Sequence, residues 1–232
     1  RASQAKYVMK LDAHCAVDEG FDTKLIQDCQ PDWTVIPSMY ALHAFDWKCC
    51  GCENQTYQGV MPISCEKCKA TEFEMVMLWQ PRIKRFTTSW RFDKNMQFQY
   101  WRDHGKRPES QVDLLETMGC IGCCFFMERE RFLSLGGMDE GHGSWGQFGT
   151  ELACKAWLSG GKMVTNKKTW MAHMFRTGNF ASPGHSTFPY PLSQEGIDRA
   201  RAYSRDLWLN DKWPLAIHPL SWLIDHFAPV PD

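Results

Sequence analysis

The first apolar run, "YVMKL" at residues 7–11, is bounded by polar residues and predicts a strand running into "DAHC". "VDEGFDTKLIQDCQ" follows as a helix, and "WTVIPSMYAL", β-branched and aromatic, as a second strand. Strand, helix, strand predicts an α/β layer. "FEMVMLWQPRIKRFTTSW" and "MQFQYW" read as strands of a hairpin or meander, and residues 102–117 as a polar loop. "CIGCCFFME" predicts a buried strand, "RERFLSLGGMDE" a short helix ended by glycine, and "ELACKAWLSGGK" a helix from Glu151 stopped by Gly160 and Gly161. "KMVTNKKTWMAHMF" predicts a strand. After Ser193, a good N-cap, Ile197, Ala200, Ser204, Leu207 and Trp208 recur at helical spacing.

Composition narrows this to a globular chain. With 232 residues, 44% of them hydrophobic, and a net charge of −1, it is expected to form one domain over 1–232, with 193–232 as a helical extension. No basic excess points to nucleic acid, and no apolar stretch is long enough for a transmembrane helix. Eleven cysteines in a chain of this length fit metal binding better than a disulfide framework, so a reducing, cytoplasmic setting is expected.

Two cysteine pairs stand out within the Gly- and Pro-containing stretch 47–70. Cys49-x-x-Cys52 and Cys65-x-x-Cys68 can each chelate from one turn, and four thiolates close a tetrahedral shell around structural Zn²⁺. Neighbouring Cys50 is an alternative ligand. Cys120 and Cys123 form a third C-x-x-C without a partner pair and read as packing residues.

Asp12 and His14 lie two apart at the end of the first strand. If the strand continues through them, both side chains leave on one face, as metal ligands do, although strands also end in polar residues without a metal. Further on, "GGMDEGHGSWGQFGTELACKAWLSGGKMVTNKKTWMAHMFR" combines a glycine-rich loop containing Trp145-Gly146, a helix, and "AHMFR".

Taken in order with "LDAHC", these motifs resemble the GT-A type glycosyltransferases of family two and the similar polypeptide N-acetylgalactosaminyltransferases. The resemblance covers most of residues 5–180. It implies an α/β fold of nucleotide-diphospho-sugar transferase type, a mixed sheet flanked by helices with the zinc-ribbon-like loop inserted. It also implies transfer of a sugar from a UDP-sugar donor to an acceptor hydroxyl, with Mn²⁺ (or Mg²⁺) on Asp12, His14 and His173. Arg176 is then expected on the diphosphate, where a guanidinium fork suits oxyanions. Trp145 and Gly146 are expected to floor the sugar and acceptor pocket, Gly119 and Gly122 to leave room for the donor sugar, and Asp139 and Glu140 to meet hydroxyls. Read alone, His173 is a histidine near a strand end, Arg176 a surface arginine and Trp145 a core tryptophan.

Two departures from the family pattern qualify this. Where relatives carry Glu-Asp or Glu-Asn after the Trp-Gly region, this chain reads Phe148-Gly149. The expected catalytic substitutes are Glu151, which also suits the helix dipole as a first-turn acid, and Asp139. Inverting and retaining courses both stay open. In the family, a nucleotide-binding half precedes the D-x-H, and here only "RASQAKY" precedes its strand, so a chain truncated at its N-terminus is expected. An inactive zinc-ribbon binding module on the same scaffold is the alternative.

Overall fold

The computed structural model describes residues 3–143, 145–177 and 192–231, with the backbone alone described at 83–86. Ser144, inside the glycine-rich loop, lies outside the described residues. In chain order the elements are β1 (Tyr7–Leu11), β2 (Cys15–Val17), α1 (Phe21–Asp28), β3 (Trp33–Cys49), β4 (Gln55–Tyr57), β5 (Phe73–Thr87), β6 (Trp90–Phe92), β7 (Phe98–Tyr100), β8 (Leu114–Glu116), β9 (Cys124–Glu128), α2 (Arg129–Ser134), α3 (Phe148–Leu158), β10 (Lys162–His173), α4 (Gln194–Leu209) and α5 (Leu220–His226).

The main sheet has eight strands in the order β1-β9-β3-β10-β2, with β4 and β5 on β3 and β8 on β10. Among the described pairings of this sheet only β3 with β10 is parallel, from Trp33 opposite Lys162 to Ala41 opposite His173. The other pairings are antiparallel, including β1 with β9 and β2 with β10. Strand β3 is long enough to serve two layers. Its first half is buried between β9 and β10, and its second half runs out beside β5 to end at Cys49.

Helix α3 is buried from Gly149 to Leu158, a helix apolar on nearly all sides that docks under the sheet. It ends as its glycines require: Gly160 takes φ +81° and the Gly161 amide bonds back to the Ala156 carbonyl at 3.0 Å. In α4 the Ser193 side chain accepts from the Gly196 amide at 3.2 Å, and Ile197, Ala200, Ser204 and Trp208 form the buried stripe. Strand β2, helix α5 and the short β4 and β8 are additions to the expected elements. Each is at most seven residues long, too short to show a period.

Candidate active site and metal centres

Strand β1 ends at Leu11, so the expected strand does not reach the D-x-H. Asp12 and His14 instead sit in the turn that joins β1 to β2. That turn is pinned on both sides: the Asp12 amide donates to the Cys123 carbonyl at 3.0 Å, and the Met174 amide to the His14 carbonyl at 3.0 Å. Pairing of β2 with β10 sets His173 opposite Cys15 and so beside His14. The ligand atoms then meet. His14 Nε2 and His173 Nε2 are 3.0 Å apart, and Asp12 Oδ2 is 3.3 Å from His173 Nε2.

One carboxylate and two imidazoles converging within 4.8 Å form a donor set that fits a divalent ion. Burial pushes the Asp12 carboxyl up, but hydrogen bonds from His173 and Lys10 outweigh it and hold the group below its ordinary value, in the charged form a ligand needs. Burial, followed by the neighbouring His173, pushes His14 down and favours its neutral, ligating form.

These residues open onto a cavity of about 500 Å³ whose walls include Gly122, Trp145, Gly146, Phe148 and Arg176. The Arg176 guanidinium lies over the Trp145 ring, 4.9 Å from its centroid. Gly122 has φ +81°, and a side chain there would drive into the Gly149 amide at 2.7 Å. Gly149 faces the same constraint, since a Cβ would lie 2.2 Å from the Cys120 carbonyl oxygen. The Phe148-Gly149 pair is therefore a packing joint: Phe148 stacks on Phe125 at 5.8 Å, and Gly149 lets α3 begin against residues 120–122. Cys120 and Cys123 are buried, in line with a packing role.

Other expected site residues lie elsewhere. Gly119 is outside the cavity lining, and its missing side chain makes room for the Phe92 ring. Glu140 is exposed in a 3₁₀ turn, Glu140–His142, also away from the lining. Asp139 caps that turn, accepting from the Gly141 amide at 2.9 Å and from the Tyr203 hydroxyl at 2.5 Å. Glu151 is 1% exposed and held inside the protein by Lys155 at 2.7 Å and the Asp139 amide at 2.7 Å, with His142 Nδ1 3.4 Å away. Neither Asp139 nor Glu151 lines the cavity, so both depart from the catalytic placement expected of them. A first-turn acid looks the same in sequence whether its helix faces a cavity or the core.

Lys10 was missed, as were the aromatic walls Phe98, Tyr100 and Phe175. The signal for Lys10 lies in the sequence: it precedes Asp12 by two positions, and the alternation that pairs Asp12 with His14 applies to it equally.

At the far end of the β3–β5 ribbon the four cysteines come together as expected from their spacing. Cys49 and Cys68 Sγ are 3.5 Å apart and Cys52 and Cys65 Sγ 3.6 Å, close to the roughly 3.8 Å edge of a tetrahedron with 2.3 Å zinc–sulfur bonds. Two equivalent turns build the set. The Glu53 amide donates to the Cys49 carbonyl and the Lys69 amide to the Cys65 carbonyl, both at 2.9 Å, and Glu53 and Lys69 both take positive φ. The Cys68 backbone N–H beside Cys65 brings its thiol down to about 6, toward the thiolate a metal requires. Exposed Cys50 falls outside the set.

No protein-family profile matches the chain. In sequence it is 25% identical over 192 residues to a probable N-acetylgalactosaminyltransferase 8 of Caenorhabditis elegans, covering 82% of this chain and 39% of the relative. It is 42% identical over 59 residues to polypeptide N-acetylgalactosaminyltransferase 8 of Drosophila melanogaster, covering 25% of this chain and 10% of that one. In structure it is similar to GalNAc-T7, crystallised with UDP, GalNAc and Mn²⁺, with a TM-score of 0.56, 17% identity, and coverage of 91% of this chain and 34% of the solved one. The chain therefore spans between a tenth and two-fifths of these relatives. By sequence it is a homologue of the polypeptide N-acetylgalactosaminyltransferases, and its fold is that of the GT-A type glycosyltransferases.

Proposed function

We propose that the chain carries the metal-binding and sugar-binding side of a glycosyltransferase that moves a sugar from a UDP-sugar to an acceptor hydroxyl. One observation carries this: Asp12, His14 and His173 converge at the wall of a cavity that also holds Arg176 and Trp145, in a homologue of sugar transferases. A Mn²⁺ or Mg²⁺ ion held by those three residues would offset the negative charge that grows on the leaving diphosphate. Arg176 presents a planar donor fork to diphosphate oxygens, and Trp145 offers an apolar face to pyranose C–H groups. Among the described residues lining the cavity, Asp12 is the one carboxylate.

Four thiolates leave no coordination position open, so the role proposed for the Cys49, Cys52, Cys65, Cys68 set is to hold structural Zn²⁺ and close the β3–β5 ribbon. Fresh, reduced protein is expected to contain about one zinc per chain that mild EDTA does not remove. Zinc-free protein would remove that assignment. A reducing, cytoplasmic setting is proposed for the chain from the metal-like spacing of its cysteine pairs. Among the described residues no helix is long and apolar enough to cross a membrane.

The test of function is release of UDP from a panel of UDP-sugars with Mn²⁺ or with EDTA. Turnover with Mn²⁺ that EDTA abolishes is the expected result. A binding module without catalysis is the second reading, favoured by Phe148 standing where relatives carry an acid, and absence of turnover across the panel would select it.

A further inference from the structure

Lys10 is the charged wall of the cavity for which no motif accounts. Its ammonium donates to Asp12 Oδ1 and, at 2.8 Å, to the Gly122 carbonyl, and it stands 5.0 Å from the centroid of the Phe148 ring. The Asp12 carboxylate is thereby divided. Oδ1 is held by Lys10, while Oδ2 faces His173, which in turn faces His14.

This division has a geometric and an electrostatic effect. With Oδ1 occupied, Asp12 presents a single oxygen toward the two imidazoles. As ligands, one carboxylate and two imidazoles offer a divalent ion one negative charge, and the Lys10 ammonium beside Asp12 already balances it. A bare divalent ion thus meets an ammonium beside its one charged ligand. A diphosphate arriving with the ion, or before it, supplies negative charge to the ion and to Lys10 together.

We propose that Lys10 couples metal uptake to diphosphate uptake, weakening the Asp12, His14, His173 set for a bare divalent cation so that the ion is retained when the nucleotide diphosphate is present. Lys10 is a positioning residue in this role: it orients Asp12 and sets the charge around the site. The inference rests on the metal assignment of those three residues, and its test separates the two.

Mn²⁺ binding is followed by the electron paramagnetic resonance signal of the free ion, with and without UDP, correcting for Mn²⁺ held by UDP in solution. Three proteins are compared: the unaltered chain, Lys10→Met, which keeps the length and removes the charge, and Lys10→Arg, which keeps the charge. Circular dichroism checks folding, and Lys10→Gln replaces Lys10→Met if the latter unfolds. Lys10→Met is expected to bind bare Mn²⁺ about tenfold more tightly, the size of one charge beside a divalent ion near 6 Å even at the dielectric of water. The factor by which UDP tightens Mn²⁺ should shrink by a similar amount, because coupling is reciprocal, and Lys10→Arg should behave as the unaltered chain. Equal or weaker Mn²⁺ binding by Lys10→Met, or an undiminished UDP effect, overturns the role of Lys10 and leaves the metal site standing. Failure of every protein to bind Mn²⁺, with or without UDP, overturns the metal assignment itself and the inference with it.

Discussion

Two clusters in this chain are built from the same residue types in opposite surroundings. At the cavity, Asp12 meets Lys10, His14 and His173; inside the protein, Glu151 meets Lys155, His142 and the Asp139 amide. The first set is part-exposed and aims carboxylate and imidazole lone pairs at a shared point. The second is sealed, with Glu151 1% and Lys155 4% exposed, and Lys155 spends a further donor on the Gly137 carbonyl at 2.8 Å. A charged group at a cavity can trade its partner for a ligand. A charged group in the core can only be satisfied by the fold, and removing its partner costs stability.

The sharpest way to break this comparison is at Asp12. Asp12→Ala is expected to weaken Mn²⁺ binding by more than about 100-fold, since it removes the one charged ligand of the set, while the thermal midpoint changes little. Calorimetric titration with Mn²⁺ in the presence of UDP reads the first and differential scanning calorimetry the second. Unchanged Mn²⁺ binding would make the two clusters alike, both structural.

At Glu151 the opposite pattern is expected. Glu151→Gln leaves the Lys155 ammonium buried beside a neutral amide, and breaking a buried pair in this way costs roughly 3 to 5 kcal/mol. Denaturant unfolding should show that loss, while Mn²⁺ binding and UDP release per folded molecule stay near those of the unaltered chain. A Glu151→Gln protein that is stable but inactive would return Glu151 to the chemistry.

The contrast also marks what could be read from residues alone. The strand before Asp12, the glycine stop of α3, the Ser193 cap and both turns of the cysteine set are local, built from contacts within a few residues, and their spacing shows in the sequence. Glu151 is different because its environment is set by which side of α3 the sheet covers. In α3 the polar stripe, Glu151 and Lys155 one turn apart, is itself buried, so polarity does not mark which side meets solvent. Placement of Gly119 against Phe92 and of Lys10 against the Gly122 carbonyl depends likewise on pairings between distant parts of the chain. The convergence of His14 and His173 was accessible only through family resemblance, since 159 residues separate them and no local pattern links them.

The smallest expected effect concerns His142, the imidazole of the sealed cluster. It is 2% exposed, lies between the Tyr203 and Trp208 rings, and burial pushes its pKa down to about 4. Folded protein therefore keeps it neutral between pH 6.5 and 4, where the unfolded chain takes up a proton. The unfolded state binds more protons in that window, so stability is fully present above about pH 6.5 and falls as the pH drops toward 4. His104, stacked on Trp101 and also pushed down to about 4 by burial, adds to the same fall. His142→Phe keeps an aromatic ring between Tyr203 and Trp208 and removes the proton uptake. It should flatten the decline between pH 6.5 and 4.5 by on the order of 1 to 2 kcal/mol, read from urea midpoints at several pH values, with the contribution of His104 left in place. If His142→Phe instead changed Mn²⁺ binding and left the pH slope alone, the sealed cluster would be communicating with the cavity, and the separation between the two would fail.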